Sequence, residues 1–75
     1  MKQAFIKFKN DSSYLEIIKK LKDKNIDYWF DQDIIDSLNI SVSVIEFTDG
    51  MIEIIDSNHK IIFINTDSIE YIRVS

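Results

Sequence analysis

The 75-residue chain contains no cysteine, no proline and a single glycine, Gly50. Without cysteine no disulfide can staple the fold, and no thiolate is on hand as nucleophile or metal ligand. A chain this poor in proline and glycine is not expected to carry hinged linkers, and its length suits one domain spanning residues 1–75. Apolar runs are short, and none nears the roughly 20 residues needed to cross a bilayer. The opening stretch Met1–Ile6 is interrupted by Lys7 and Lys9 and is not followed by a small-residue cleavage site, so it does not read as a signal peptide. No membrane association is expected, and the lack of cysteine fits a reducing, cytoplasmic compartment. Catalytic equipment is scarce too. His59 is the only histidine, it sits among turn residues, and no glycine-rich loop could cradle a phosphate.

What is present is a folded composition: 45% hydrophobic and 29% charged residues, rich in isoleucine. The β-branched isoleucines favour strands. Lys2–Lys9 reads as a first strand, with Ala4, Ile6 and Phe8 on one face and Phe5 alone on the other. Ser13 and Glu16 have the S-x-x-E spacing of a capping box. The helix that follows, from about Tyr14 to Lys24, aligns Tyr14, Ile17, Ile18 and Leu21 at i, i+3, i+4 and i+7. Asn25 is its stop. Ile26–Phe30 reads as a second strand, and Asp31–Asn39 as either an irregular loop or, the favoured reading, a helical turn capped by Asp31 with Ile34, Ile35 and Leu38 on one side.

Four further strands are expected at Ile40–Thr48, Met51–Asp56, Lys60–Asn65 and Ile69–Val74. Asp49-Gly50 between the first two suggests a type I′ hairpin. The expected fold is therefore α+β: a small single domain with a β-α-β unit, then a four-stranded antiparallel meander, and the helix packed on one sheet face. One feature resists that layout. Val42 and Val44 point one way while Ile45 and Phe47 point the other, and Ile54/Ile55 and Ile61/Ile62 repeat the conflict. A sheet with one solvated face should alternate with period two. Hence the chain curls into a barrel-like shape, or it covers its second face (Ile45, Phe47, Ile55 and Ile62) by self-association as a homodimer.

The net charge of −4 is unevenly spread. Residues 1–24 hold seven lysines against three acids, whereas residues 25–75 hold Lys60 and Arg73 against ten acids. Such asymmetry points to an electrostatic partner. Asp31, Asp33 and Asp36 have the look of a calcium loop, but the twelve-residue pattern needs Gly at its sixth position and Glu at its twelfth, where Asp36 and Val42 stand. No metal, cofactor or catalytic residue is therefore assigned. The segment Tyr28-Trp29-Phe30 beside Asp31, Asp33 and Asp36 stands out. On an extended chain Tyr28 and Phe30 share a face and Trp29 takes the other, so Trp29 is either a core residue or an exposed anchor. Tyr28, Trp29, Asp31, Asp33 and Asp36 are the candidate partner-binding residues.

These features suit a small non-catalytic, acidic interaction protein that binds and modulates a larger protein partner. A nucleic-acid-processing enzyme is the favoured kind, because carboxylates compete for the Lys and Arg that grip phosphates. Small phage inhibitors of host defence nucleases, anti-CRISPR proteins among them, are similar in size, in acidity and in their missing catalytic equipment. That likeness implies inhibition by occupying a nucleic-acid site. Two other readings compete: a nucleic-acid-binding regulator using the lysines of the first strand and helix, and a homo-oligomeric structural protein.

Overall fold

A computed structural model of the chain describes residues 2–75. It is an α+β domain in which one helix packs against a five-stranded antiparallel sheet. The elements run β1 (Lys2–Phe8), α1 (Asp11–Asp23), β2 (Ser37–Thr48), β3 (Met51–Asp56), β4 (Ile61–Asn65), a 3-10 turn (Thr66–Ser68) and β5 (Ile69–Val74). Across the sheet the order is β4-β3-β2-β1-β5. Only β2, β3 and β4 form the expected meander, and β5 crosses to the far edge to pair with β1.

That crossing dictates the shape. Five strands laid flat would separate β4 from β5 by about 19 Å at the usual inter-strand spacing. The step from Asn65 to Ile69 reaches about 14 Å when fully extended. The sheet must therefore curl until its two edges meet at one end. β2 shows the same bending. Its 12 residues would measure about 36 Å if straight, yet the molecule extends only 28 × 27 × 25 Å.

A β-bulge supplies the bend and resolves the failed alternation. The pairing of β2 with β3 slips between Val42 and Val44, so Ser43 is the extra residue. Beyond it the inward parity reverses: Val42, Ile45 and Phe47 face the core side and Val44 faces out. Ser43 Oγ donates to the carbonyls of Ile55 and Asp56 at 3.2 and 2.8 Å, helping to satisfy backbone that the bulge disrupts. Ile62 is buried and Ile45 half-buried against the core, while Ile55 lies on the outer face. The four residues expected to form one exposed patch are thus divided between two faces. The core joins Ala4, Ile6 and Phe8 of β1 to Leu38, Ile40 and Val42, then to Ile52, Ile54, Ile62 and Ile64, with Ile17, Ile18 and Leu21 of α1 closing it.

The helix begins earlier than the capping-box spacing suggests. Asn10 is the N-cap, in an extended conformation, and its Oδ1 accepts from the Ser13 backbone N–H at 2.8 Å. Ser13 is therefore a residue of the first turn rather than the cap. Asparagine caps as well as serine does, and starting at Asp11 puts a carboxylate at the positive end of the helix dipole. Asn10→Ala is expected to cost about 1 kcal/mol and Ser13→Ala much less, a contrast that paired chemical melts would check. At the other end Asn25 takes a left-handed φ of 55°. Its N–H donates to Lys22 O, and that of Ile26 to Leu21 O, which is a Schellman stop. Lys60 Nζ reaches Asn25 O at 2.6 Å and Lys24 Nζ reaches Ile61 O at 2.8 Å, tying the helix end to the start of β4.

Two expected elements differ. Ile26–Phe30 is extended but is no sheet strand, being held by one bridge from Trp29 to Asn39. Residues 32–36 form turns rather than a helical turn, with Ile35 80% exposed, Leu38 buried, and Ser37 Oγ donating to Ile34 O. The Asp49-Gly50 hairpin forms where expected, but only Gly50 has a positive φ (74°), so the turn is not type I′. Among the described residues no helix is long and apolar enough to cross a membrane.

Candidate functional site

The segment after the helix is positioned by its backbone. Trp29 N–H donates to Asn39 O at 3.0 Å, and Asn39 N–H returns to Trp29 O at 2.8 Å. Paired residues of an antiparallel bridge project to the same side. Asn39 in turn pairs with Phe5, and Phe5 with Arg73. Trp29, Asn39, Phe5 and Arg73 therefore form one cross-strand row on the outer face of the sheet. Tyr28 and Phe30 take the opposite side, as their spacing implies.

On that opposite side aromatic rings descend toward the core. Phe30 meets Tyr28 edge-on at 5.4 Å and Tyr14 at 6.3 Å, and Tyr14 meets the fully buried Phe8 at 5.9 Å. Burial pushes the Tyr14 hydroxyl above its usual pKa, and nearby Tyr28, Asp36 and Asp11 push it further, so it remains a neutral donor. Phe30 is nonetheless 57% exposed, and Trp29 40%. Trp29 is thus an exposed residue rather than a core one.

The outer row contains a cleft of about 300 Å³ lined by Gln3, Phe5, Asp31, Asn39, Arg73 and Ser75. Arg73 lies over the Phe5 ring at 4.6 Å from its centre, and Tyr71 flanks the pair with its ring 5.9 Å from that of Phe5. A guanidinium stacked in this way keeps its donors free at the rim. Across from it Asp31 supplies acceptors, although one of its oxygens already takes the Asp33 N–H at 2.9 Å. The cleft therefore offers charge of both signs, two side-chain amides and an aromatic floor.

The structure divides the five candidate residues. Asp31 lines the cleft, Trp29 pairs with its lining residue Asn39, and Asp33 is tied to Asp31 through its backbone N–H. Tyr28 and Asp36 lie toward Tyr14, where the Asp36 carbonyl accepts from Phe8 N–H and the residue holds a positive φ of 52°. Gln3, Phe5, Asn39 and Arg73 were missed because they come from three strands far apart in the chain. Phe5, the solitary apolar residue on the polar side of its strand, was the one available signal. Among the described residues the only ion pair within 4 Å joins Lys7 to Glu70, and no group of three or more acids and histidines is placed to hold a metal. The chain matches no family model, no curated protein and no solved structure.

Proposed function

We propose that the chain is a non-catalytic interaction protein that docks on a cationic surface of a larger protein and blocks it, in the manner of an inhibitor occupying a nucleic-acid site. The observation that carries this reading is Trp29, exposed and paired with the cleft residue Asn39, two positions before Asp31, which lines the cleft; among the described residues no cation lies within 4 Å of Asp31 or Asp33. A rigidly held aromatic anchor rimmed by unpaired carboxylates fits a partner presenting Arg or Lys around an apolar pocket. Backbone pairing to β2 supplies the rigidity. An anti-defence role of phage type is one instance of this reading.

The test uses immobilised protein and lysate of its native host. Wild type should retain one protein in stoichiometric amount, and that protein should lose bound DNA or RNA as this chain is titrated in. Asp31→Asn, Asp33→Asn and Asp36→Asn combined should slow association with it and flatten the salt dependence, because steering depends on charge. Melting should change little, since Asp33 is exposed, Asp31 and Asp36 are half-buried without an ion pair among the described residues, and asparagine keeps the Asp31 Oδ1 acceptor for the Asp33 N–H. Retention unaltered by the triple change at low and high salt would overturn the acidic-surface reading. Direct capture of nucleic acid, eluted by salt, would favour the exposed lysines Lys19, Lys20 and Lys22 of α1 instead.

A further inference from the structure

Two opposite charges line the cleft on the outer face without meeting. The cleft follows the row of Arg73, Phe5, Asn39 and Trp29, which ends on the segment leading to Asp31. Neighbours in such a row are about 4.8 Å apart, so its two ends are separated by about 14 Å. Arg73 therefore enters from one bank and Asp31 from the other. Opposite charges in one cleft would ordinarily close on each other, yet no ion pair within 4 Å joins these two. Each is held by a contact of its own. The Arg73 guanidinium lies on the Phe5 ring, 4.6 Å from its centre. One Asp31 oxygen takes the Asp33 N–H at 2.9 Å, and the backbone two positions earlier is fixed by the Trp29–Asn39 bonds.

The amides of Gln3 and Asn39 line the same cleft. Gln3 is fixed by two backbone bonds with Ser75, and Asn39 by its two with Trp29. Among the described residues, neither amide side chain nor the guanidinium makes a hydrogen bond within the chain. Four polar groups on well-anchored backbone thus converge with hydrogen-bonding capacity to spare.

We propose that the cleft binds a free α-amino acid with an uncharged polar side chain, its carboxylate on Arg73 and its ammonium on Asp31. Charge selects this ligand. A simple anion suits Arg73 but meets Asp31, and a simple cation meets the reverse, whereas a zwitterion satisfies both. Arginine grips a carboxylate through two parallel N–H donors, and stacking on Phe5 leaves that edge open. The span fits as well. A ligand inserted between the two side chains, with a hydrogen bond of about 2.8 Å at each end, requires them to stand apart as they do. The Gln3 and Asn39 amides each donate and accept, so they favour a polar side chain over an aliphatic one that would leave them unpaired. A cleft of about 300 Å³ lies at the small end of ligand sites, which suits a single amino acid. Phe5, the ring that lines it, is 7% exposed and carries Arg73, so it offers no open face for a nucleobase to stack on. Asp31 also belongs to the proposed docking surface. The cleft needs no protein partner, however, and either reading can fail without the other.

The test uses the whole chain alone, titrated with L-glutamine, L-asparagine and L-serine and followed by amide NMR. At least one should shift the Gln3, Phe5, Asn39 and Arg73 resonances saturably while leaving the Asp49-Gly50 hairpin unmoved. The N-acetyl derivative of the tightest ligand lacks the ammonium, and its carboxamide lacks the carboxylate. Each should bind about tenfold or more weakly, as loss of a charged hydrogen bond implies. L-Valine should bind more weakly too. Arg73→Gln should lose affinity by the same margin. Asp31→Asn should match it while keeping the Oδ1 acceptor for the Asp33 N–H, so the site stays testable if Arg73→Gln loosens Phe5. No saturable shift with any of the three amino acids would overturn the proposal. So would a singly charged derivative or valine binding as tightly, or a folded Asp31→Asn protein with unchanged affinity.

Discussion

Phe8→Ala is expected to leave the chain without a cooperative fold at room temperature. Phe8 has no exposed surface and lies where β1, the aromatic ladder through Tyr14 and the central core converge. Its backbone N–H also holds the turn before β2 through the Asp36 carbonyl at 2.8 Å. Truncating a buried phenylalanine costs about 3–5 kcal/mol, through lost transfer energy and the cavity left behind. A core of this size supplies about 3–5 kcal/mol of net stability, and the chain, lacking cysteine, has no disulfide to make up the loss. The whole margin is therefore at stake in one side chain. Circular dichroism melts should show no transition for Phe8→Ala. Phe47→Ala, at a 60% exposed position beyond the end of the core, should melt within about 1 kcal/mol of wild type. A cooperative Phe8→Ala melt with a comparably small loss would mean that the curled sheet holds its shape without the aromatic ladder.

Local chemistry was the legible part of this fold. The i, i+3, i+4, i+7 stripe located the helix because that period has one structural meaning, and Asn25 stopped it because asparagine tolerates a left-handed φ. The choice between Asn10 and Ser13 as cap was not legible in the same way. Both side chains can bond a helix N–H, and the exit of β1 decides between them. The broken alternation around Val42–Phe47 was a true signal whose cause was hidden. It announced two apolar faces or a bulge, and a serine at position 43 carries no mark that separates these. The place of β5 was further from reach. A short connection after β4 favours a hairpin, and only the curl of the sheet lets three residues of 3-10 turn carry the chain to the opposite edge.

The candidate site divides along the same line. Tyr28, Trp29 and Phe30 alternate as an extended chain must, so the separation of Trp29 from its neighbours could be read from spacing alone. The cleft beside Trp29 could not. It depends on Phe5, Asn39 and Arg73 meeting across three strands, and that register exists only after β5 has crossed to β1. Arg73 in particular reads as one cation in an acidic stretch until the sheet sets it on the Phe5 ring.

Trp29→Ala should separate stability from binding more sharply than any other single change. The segment is anchored through the Trp29 backbone, whose two hydrogen bonds to Asn39 survive truncation of the side chain. With the indole 40% exposed, its loss should cost the fold about 1 kcal/mol or less. As a docking anchor it should behave as a hot spot, worth about 2 kcal/mol or more, which is roughly a thirtyfold loss of affinity. That loss should appear mainly as faster dissociation, because removing an apolar anchor does not alter the charge that steers encounter. Neutralising Asp31, Asp33 and Asp36 should instead slow association. Two variants in one short segment with opposite kinetic signatures would be hard to obtain from a merely destabilised protein. Surface plasmon resonance against the retained partner, alongside melts of each variant, measures both. A Trp29→Ala protein that unfolds as Phe8→Ala does would make Trp29 a structural residue. One that folds and binds with unchanged dissociation would remove the indole from the interface and leave docking to another part of the surface.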